Sequence, residues 1–246
     1  MADRISALHD DLLRHVLSFL RAHEAVRTCM LARRWRHLWK SAPAVRVTGV
    51  KGCIDPEWFF NFVDSLLLLR DPVAGLDSFE LDLDYDDFDF DLIEFMPANE
   101  LHVNTLIQHA LRCRPLIRLV LRTGCPIELP KFIINRDLKL CPTFSKLKTL
   151  LLSKWCPGIA SDLNILSCFL KHSPILEKLT LQLSEEPKVP VKTQRSYTPS
   201  KQSFAFTHLK IVEIKCDKVG GRSHKVLDIL STFDIPLEKV TIQQGN

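Results

Sequence analysis

The chain lacks the short patterns that would announce a catalytic or covalently stapled protein. Its 246 residues hold no H-E-x-x-H, no G-x-S-x-G and no G-x-x-x-x-G-K-[ST], so no zinc-protease, serine-hydrolase or phosphate-cradling site is indicated. Gly220-Gly221-Arg222-Ser223 has neither the spacing nor the lysine of a phosphate loop and reads as a turn. Eight cysteines (29, 53, 113, 125, 141, 156, 168 and 216) are scattered without a C-x-x-C, which argues against both a disulfide framework and a zinc module. There is no N-x-S/T acceptor and no apolar run of membrane-spanning length, and acids and arginines begin at residue 3, unlike a secretory signal. These absences lead us to expect an intracellular protein, in nucleus or cytoplasm or both. It should have reduced thiols, no cofactor and no membrane partner.

Apolar residues make up 46% of the sequence, ample for one large packed domain or two. The formal charge of +4 conceals segmentation: by successive fifties the nets are +5, −12, +7, +2 and +2. A nucleic-acid binder gathers its cations on one continuous face, and fourteen acids between residues 51 and 100 interrupt any such face here. A nucleic-acid partner is therefore not expected. The acids concentrate in ELDLDYDDFDFDLIE, Glu80 to Glu94. Its D-x-D-x-D start fails as a calcium loop, because the glycine slot is Asp87 and the bidentate glutamate slot is Ile93. It reads as a strand edge running into a solvated loop. His109/Cys113 and Cys168/His172 stand four apart on expected helices, but two ligands are too few for a metal site. No metal is expected.

The first 47 residues read as three short helices. Leu12, Leu13, Val16, Leu17 and Leu20 form one broad apolar face, with Asp10 and Asp11 at its amino end where a helix dipole favours acid. A second face carries Ala22, Ala25, Val26 and Cys29. The third, Leu31 to Lys40, holds Leu31, Trp35, Leu38 and Trp39 among basic residues. Helices of about ten residues are marginal alone, so this much leucine and tryptophan implies apolar surface left over for a partner.

This stretch resembles an F-box. The family's usual run is a Leu-Pro pair, two acids, Leu-Leu, an apolar helix ending Phe-Leu, and a basic segment ending Arg-Trp-Arg-x-Leu-Trp. Here it stands as Leu8-His9, Asp10-Asp11, Leu12-Leu13, Val16 to Leu20 and Arg34-Trp35-Arg36-His37-Leu38-Trp39. Three positions depart from it: His9 and Arg21 replace prolines, and Ala32 replaces a capping serine. Losing a proline frees the unbound chain, so weaker adaptor binding is expected. The resemblance implies docking on the Skp-type adaptor of a cullin–RING ubiquitin ligase. By analogy Leu8, Asp10, Leu12, Leu13, Val16, Leu17, Leu20, Val26, Leu31 and Trp35 would face the adaptor. Internal packing is the competing role for each, evenly balanced for Leu13, Leu17 and Trp35, while Leu8 and Leu12 favour the interface.

After a linker over residues 48–75 (a strand at Ala44–Val47 leads into it, and a helix spans Trp58 to Leu69), a hexad L-x-x-L-x-L recurs. It appears as Leu76-Phe79-Leu81, Leu116-Leu119-Leu121, Leu147-Leu150-Leu152, Leu176-Leu179-Leu181, Leu209-Val212-Ile214 and Leu237-Val240-Ile242. Six occurrences at steps of 40, 31, 29, 33 and 28 residues are not chance. Alternation of the last two apolar positions predicts strands with one buried face. Helical spacing at Leu101–Leu111, Ile159–Leu170 and Val226–Phe233 separates several of them, with Pro115 and Pro174 as stops. The fold expected is α/β: a small all-α F-box unit over 3–47, then a leucine-rich-repeat solenoid, an open curved sheet with helices on its outer side.

The repeats are irregular and lack most of the asparagine ladder, like the divergent repeats of plant F-box proteins. Residues 76–208 hold these repeats; with Leu209-Lys210-Ile211-Val212-Glu213-Ile214, the Gly220-Gly221 turn, the Val226–Phe233 helix and Leu237-Glu238-Lys239-Val240, residues 209–246 resemble part of the FBD module that often follows them. That module stops early at Asn246, so either the chain is shortened or a partner covers that end, and shortening is the reading favoured. Glu185 to Ser203, rich in proline and polar residues, reads as a mobile loop.

The implied function is the substrate-recognition subunit of an SCF-type ligase. It would be non-catalytic, with the repeat wall presenting an unidentified protein. Wall positions between the buried strand residues are the candidate contacts: Arg118, Arg122, Lys148, Ser153, Lys178, Gln182, Lys210, Glu213, Lys215 and Lys239, with Trp155 at a rim. For any one of them ordinary solvated surface is the competing role. The alternative function is a non-ubiquitinating repeat scaffold or decoy.

Overall fold

A computed structural model describes residues 5, 7–48, 56–83, 116–123, 143–155, 166–167, 169–183, 208–217 and 220–244. The chain divides into two compact units, with Met1–Leu83 in the first and Arg118–Asn246 in the second. Both combine helices with parallel strands, giving a mixed α/β architecture whose amino-terminal part is helical.

Helix α1 (Asp10–Leu17) begins at His9, whose Nδ1 lies 3.4 Å from the Asp11 amide nitrogen. Asp10 and Asp11 occupy the first turn, at the positive end of the helix dipole. Helix α2 (Ala22–Arg27) begins at Arg21, whose amide donates to Glu24 Oε2 at 3.1 Å. That is half of a capping box, since arginine has no side-chain acceptor to complete it. Leu13 and Leu17 point inward with Ala22 and Ala25, and all four are buried.

The single third helix expected over Leu31–Lys40 is instead two 3-10 segments, Arg33–Arg36 and Leu38–Ser41. They are broken at His37, whose φ of −122° lies outside the helical well. The break lets Trp35, Leu38 and Trp39 all turn inward, so neither tryptophan is left at the surface, while Leu31 stays out at 70% exposure.

Strand β1 (Ala44–Thr48), helix α3 (Pro56–Leu68) and strand β2 (Ser78–Leu83) follow. β1 and β2 pair in parallel, placing Val45 opposite Phe79 and Val47 opposite Leu81, and all four side chains are buried. Val63, Leu66 and Leu67 of α3 are buried as well. The helical segment is stitched to this β-α-β unit through main-chain groups. Arg70, itself buried, donates to the Ala42 carbonyl at 2.9 Å, and the Asp77 amide donates to Pro43 O at 2.8 Å. The F-box-like stretch thus shares one compact unit with β1, α3 and β2.

In the second unit β3 (Arg118–Thr123), β4 (Thr149–Trp155), β5 (Lys178–Leu183), β6 (Ile211–Cys216) and β7 (Val240–Gln244) pair in parallel in chain order. The register aligns hexad with hexad: Leu119, Leu150, Leu179, Val212 and Val240 make one row, and Leu121, Leu152, Leu181, Ile214 and Ile242 the next. From β3 to β6 every residue of these rows is buried, and burying a leucine fully is favourable by about 1.5–3 kcal/mol. At β7 the rows emerge, with Val240 and Ile242 half-buried and Leu237 exposed.

Two residues between the rows differ from the solvated wall expected. Val120 and Thr180 lie on the opposite face yet are buried, as strands of parallel sheets tend to be on both faces. Helix α4 (Gly221–Thr232) contributes Val226, Ile229 and Leu230 to the core. It ends in a Schellman arrangement in which Asp234 takes φ 58°, the Ile235 amide reaches Leu230 O and the Asp234 amide reaches Ser231 O, both at 3.1 Å.

The acidic stretch beyond Leu83, the Leu101–Leu111 helix, the first part of Ile159–Leu170, the Glu185–Ser203 loop, the His109/Cys113 pair and Cys168 lie outside the described residues.

Candidate protein-docking surfaces

The first surface follows from the phase of α1. Leu13 and Leu17 occupy its inward phase, so the stripe Leu8, Leu12, Val16 and Phe19 is left pointing out, at 37, 53, 47 and 61% exposure. Leu20 and Val26 are half-buried. Met30 and Leu31, beside the α2 end, are more open still. An exposed apolar stripe beside a core that is already closed is surface for a partner to desolvate.

Arg34 fixes one end of the stripe. Its Nε donates to Asp10 Oδ1 at 2.8 Å, its Nη2 lies 2.6 Å from the same oxygen, and it also donates to the Leu8 carbonyl. Asp10, expected at the adaptor interface, is therefore first an internal cross-link across twenty-four residues of chain. Leu13, Leu17 and Trp35 are core residues of the unit, while Leu8, Leu12, Val16 and Leu31 are open.

The second surface is the sheet face opposite the hydrophobic rows, together with the residues just ahead of its strands. Its charged residues are largely paired with one another. Glu177 accepts from Lys148 at 2.9 Å and from Lys210 at 2.7 Å, using one carboxylate oxygen for each. The two ammonium groups, Lys210 foremost, pull its carboxyl down to a pKa of about 2. Glu213 accepts from Lys178 at 2.6 Å and from the Thr180 hydroxyl at 3.3 Å, and the Lys178 hydrogen bond lowers its carboxyl against the opposing effect of burial. Ser153, buried, donates to Gln182 Oε1 at 3.1 Å. Arg118 and Lys215 are exposed, Arg122 and Lys239 half-buried. Trp155, expected at a rim, is instead packed inside after a register shift late in β4 pairs it with Leu183.

Residues 5–44 match the F-box domain family. The amino-terminal unit carries an F-box. F-box domains as a class bind Skp-type adaptors in SCF ubiquitin ligase complexes, and the open stripe on α1 belongs to that domain. The chain is also similar along most of its length to plant F-box proteins of the FBD and LRR-repeat kind. An FBD-associated F-box protein of Arabidopsis thaliana is 28% identical over 83% of this chain and 49% of its own length. F-box/LRR-repeat protein 13 of the same plant is 28% identical over 84% and 46% respectively. An F-box/FBD/LRR-repeat protein, again from Arabidopsis, is 36% identical over 44% of this chain and 24% of its own. The chain spans about half the length of the first two. No solved structure matches it.

Sequence reasoning missed Phe19 and Met30, two of the most open apolar side chains of the F-box. Phe19 was within reach of it, since it continues the Leu12–Val16 stripe by one helical step. Glu177 was legible too: with Lys148 and Lys210 it occupies the second slot of successive hexads, so hexad register alone makes them neighbours. Nothing local to Arg34 pointed to Asp10. Among the described residues no cluster of His, Cys, Asp and Glu could hold a metal, and no helix is long and apolar enough to cross a membrane.

Proposed function

We propose that this chain is the substrate-recognition subunit of an SCF-type ubiquitin ligase, acting without a catalytic residue of its own. The F-box docks the Skp-type adaptor and through it a cullin. The second unit presents a target protein, raising the effective concentration of the target's lysines near the conjugating enzyme. On this reading the strands are the inner turns of a divergent leucine-rich-repeat solenoid over 76–208. They follow an F-box at 3–47 and a linking strand and helix at 48–75, and they pass into an FBD-like repeat at 209–246. The protein works inside the cell, in nucleus or cytoplasm.

The observation that carries the reading is the open stripe Leu8, Leu12, Val16 and Phe19 beside a closed core. Adaptor contact would run along it and reach Met30 and Leu31. Leu13, Leu17 and Trp35 would support it from beneath.

Capture of the chain on an immobilised Skp-type adaptor tests this. Wild type should be retained. Leu12→Asp with Val16→Asp should weaken retention by about a hundredfold, as when two interface anchors are lost, with the thermal midpoint lowered by only a few degrees because both side chains are about half exposed. If wild type is not retained the ligase reading falls, and the scaffold that binds a partner without ubiquitination replaces it.

A further inference from the structure

We propose that the outward face of the β3–β6 sheet binds an extended acidic segment of the recruited protein. The inference rests on the substrate-recognition reading and gives the partner a chemistry. Strand register puts Arg118, Arg122, Lys178 and Lys215 on this one face, and Lys148 and Lys210 stand one residue ahead of β4 and β6 at its edge. Among the described residues Arg118, Lys148, Lys178, Lys210 and Lys215 stand against two carboxylates, Glu177 and Glu213, an excess of three positive charges. Three strand spacings of about 4.8 Å separate β3 from β6, so the cations span about 14 Å, the reach of four or five residues of extended peptide.

The internal ion pairs prepare the face without neutralising it. Glu177 tethers Lys148 and Lys210, each of which stays more than half exposed. An ammonium group has three donors, and each lysine has given one to Glu177, so the others point to solvent. Lysine ordinarily loses side-chain entropy of about 1.5–2 kcal/mol when fixed, and the tether has already removed part of that before a ligand arrives.

What the face excludes is as informative. Its middle is filled, with Val120 and Thr180 buried, and Ile211 at the start of β6 is the one open apolar side chain on the described strands β3–β6. Trp155, the only aromatic on the described strands β3–β7, is buried, so it offers no platform for stacking a nucleic-acid base. Charged side chains outnumber that single apolar one, and an extended run of aspartate and glutamate is their complement.

Fluorescence polarisation on the full chain tests the proposal, with a labelled decapeptide of alternating Asp and Glu, a Gly-Ser decapeptide of equal length and a uridine decamer as probes. The acidic peptide should bind in about 50 mM salt and weaken about tenfold in about 300 mM salt, while the Gly-Ser peptide does not bind. Arg118→Glu with Lys215→Glu should raise the Kd about tenfold or more, both side chains being exposed so that the fold is spared. Lys225→Glu, on the exposed side of α4, should leave the Kd within about twofold. The proposal is overturned if the acidic peptide does not bind at low salt, if Lys225→Glu weakens it as much as the double reversal, or if the uridine decamer binds more tightly at the same residues. Adaptor capture by the same preparations reports the F-box separately, so loss of peptide binding with capture intact condemns the acidic partner and not the ligase reading.

Discussion

The outward stripe of α1 and the outward face of the β3–β6 sheet are both surfaces left over once a core has closed, but they are left over in opposite ways. On α1 the leftover is apolar: Leu12, Val16 and Phe19 stand in water with no local means of hiding. On the sheet it is charged, and Glu177 and Glu213 hold three of the cations while the face stays net positive. The first surface has everything to gain from a partner, since each buried methylene is favourable by about 0.8 kcal/mol. The second already has three of its cations held by its own carboxylates, so a partner there gains in selectivity and rate of encounter more than in affinity. One chain thus carries a surface suited to a lasting attachment and another suited to an exchangeable one.

The largest expected effect sharpens the line between core and stripe on α1. Leu13 and Leu12 are adjacent, and one is fully buried while the other is half in water. Leu13→Ala should cost about 2–5 kcal/mol of stability, the range for a fully buried leucine. Leu12→Ala should cost under about 0.5 kcal/mol and act on adaptor capture instead. Urea unfolding of the two variants decides it. Equal losses would mean that the stripe belongs to the core and that the contrast between the two surfaces is false.

An intermediate effect probes the sheet. Glu177 titrates at about 2 against an ordinary 4.5 because Lys210 and Lys148 donate to its ionised form. A depressed carboxyl contributes stability that is present above 4.5 and is lost as pH falls through about 2. Replacing both lysines by Ala should return the Glu177 titration toward 4.5, followed by carboxyl-carbon NMR, and should remove that acid dependence. A titration unmoved by the double substitution would show that the lysines do not hold the carboxylate in solution.

How much of this was legible in the sequence follows the range of the forces involved. The six hexads located β2 to β7, because alternation is local and a strand buries what alternates. The helix expected over Trp58 to Leu69 is α3, Pro56–Leu68, whose apolar run is equally local. The family resemblance favoured the outside for Leu8 and Leu12, but spacing alone did not separate the two phases of α1, since Leu12-Leu13 and Val16-Leu17 are paired apolar neighbours and only the packing of α2 and the 3-10 segments chooses between them. The third helix failed for a related reason. Its spacing fits one α-helical face, but burying Trp35, Leu38 and Trp39 together required a break at His37. Burial of Val120 and Thr180 on the second face of the sheet, and the Arg34–Asp10 cross-link, depend on residues distant in sequence. The described part of the helix over Ile159–Leu170, residues 166–167 and 169–170, is helical as its spacing predicted.

The smallest expected effect concerns the two prolines that the F-box pattern usually carries and this chain does not. His9 and Arg21 hold φ of −65° and −64°, the value a proline ring imposes, with ψ of 150° and 149°. The backbone thus keeps the proline conformation after losing the residue. The two positions are not equivalent. Arg21 gives its amide to Glu24, a bond a proline would abolish, whereas among the described residues the His9 amide donates to no carbonyl. His9→Pro should therefore stabilise the unit by about 0.4–1 kcal/mol through the unfolded chain, less the weak 3.4 Å contact from the Asp11 amide, while Arg21→Pro should give no net gain. Because His9 directly follows Leu8, at one end of the open stripe, the same restriction should tighten adaptor capture by a factor of about two. Thermal unfolding and capture measured side by side test both halves, and a destabilised His9→Pro variant would mean that the histidine side chain holds the start of α1 more firmly than its geometry implies.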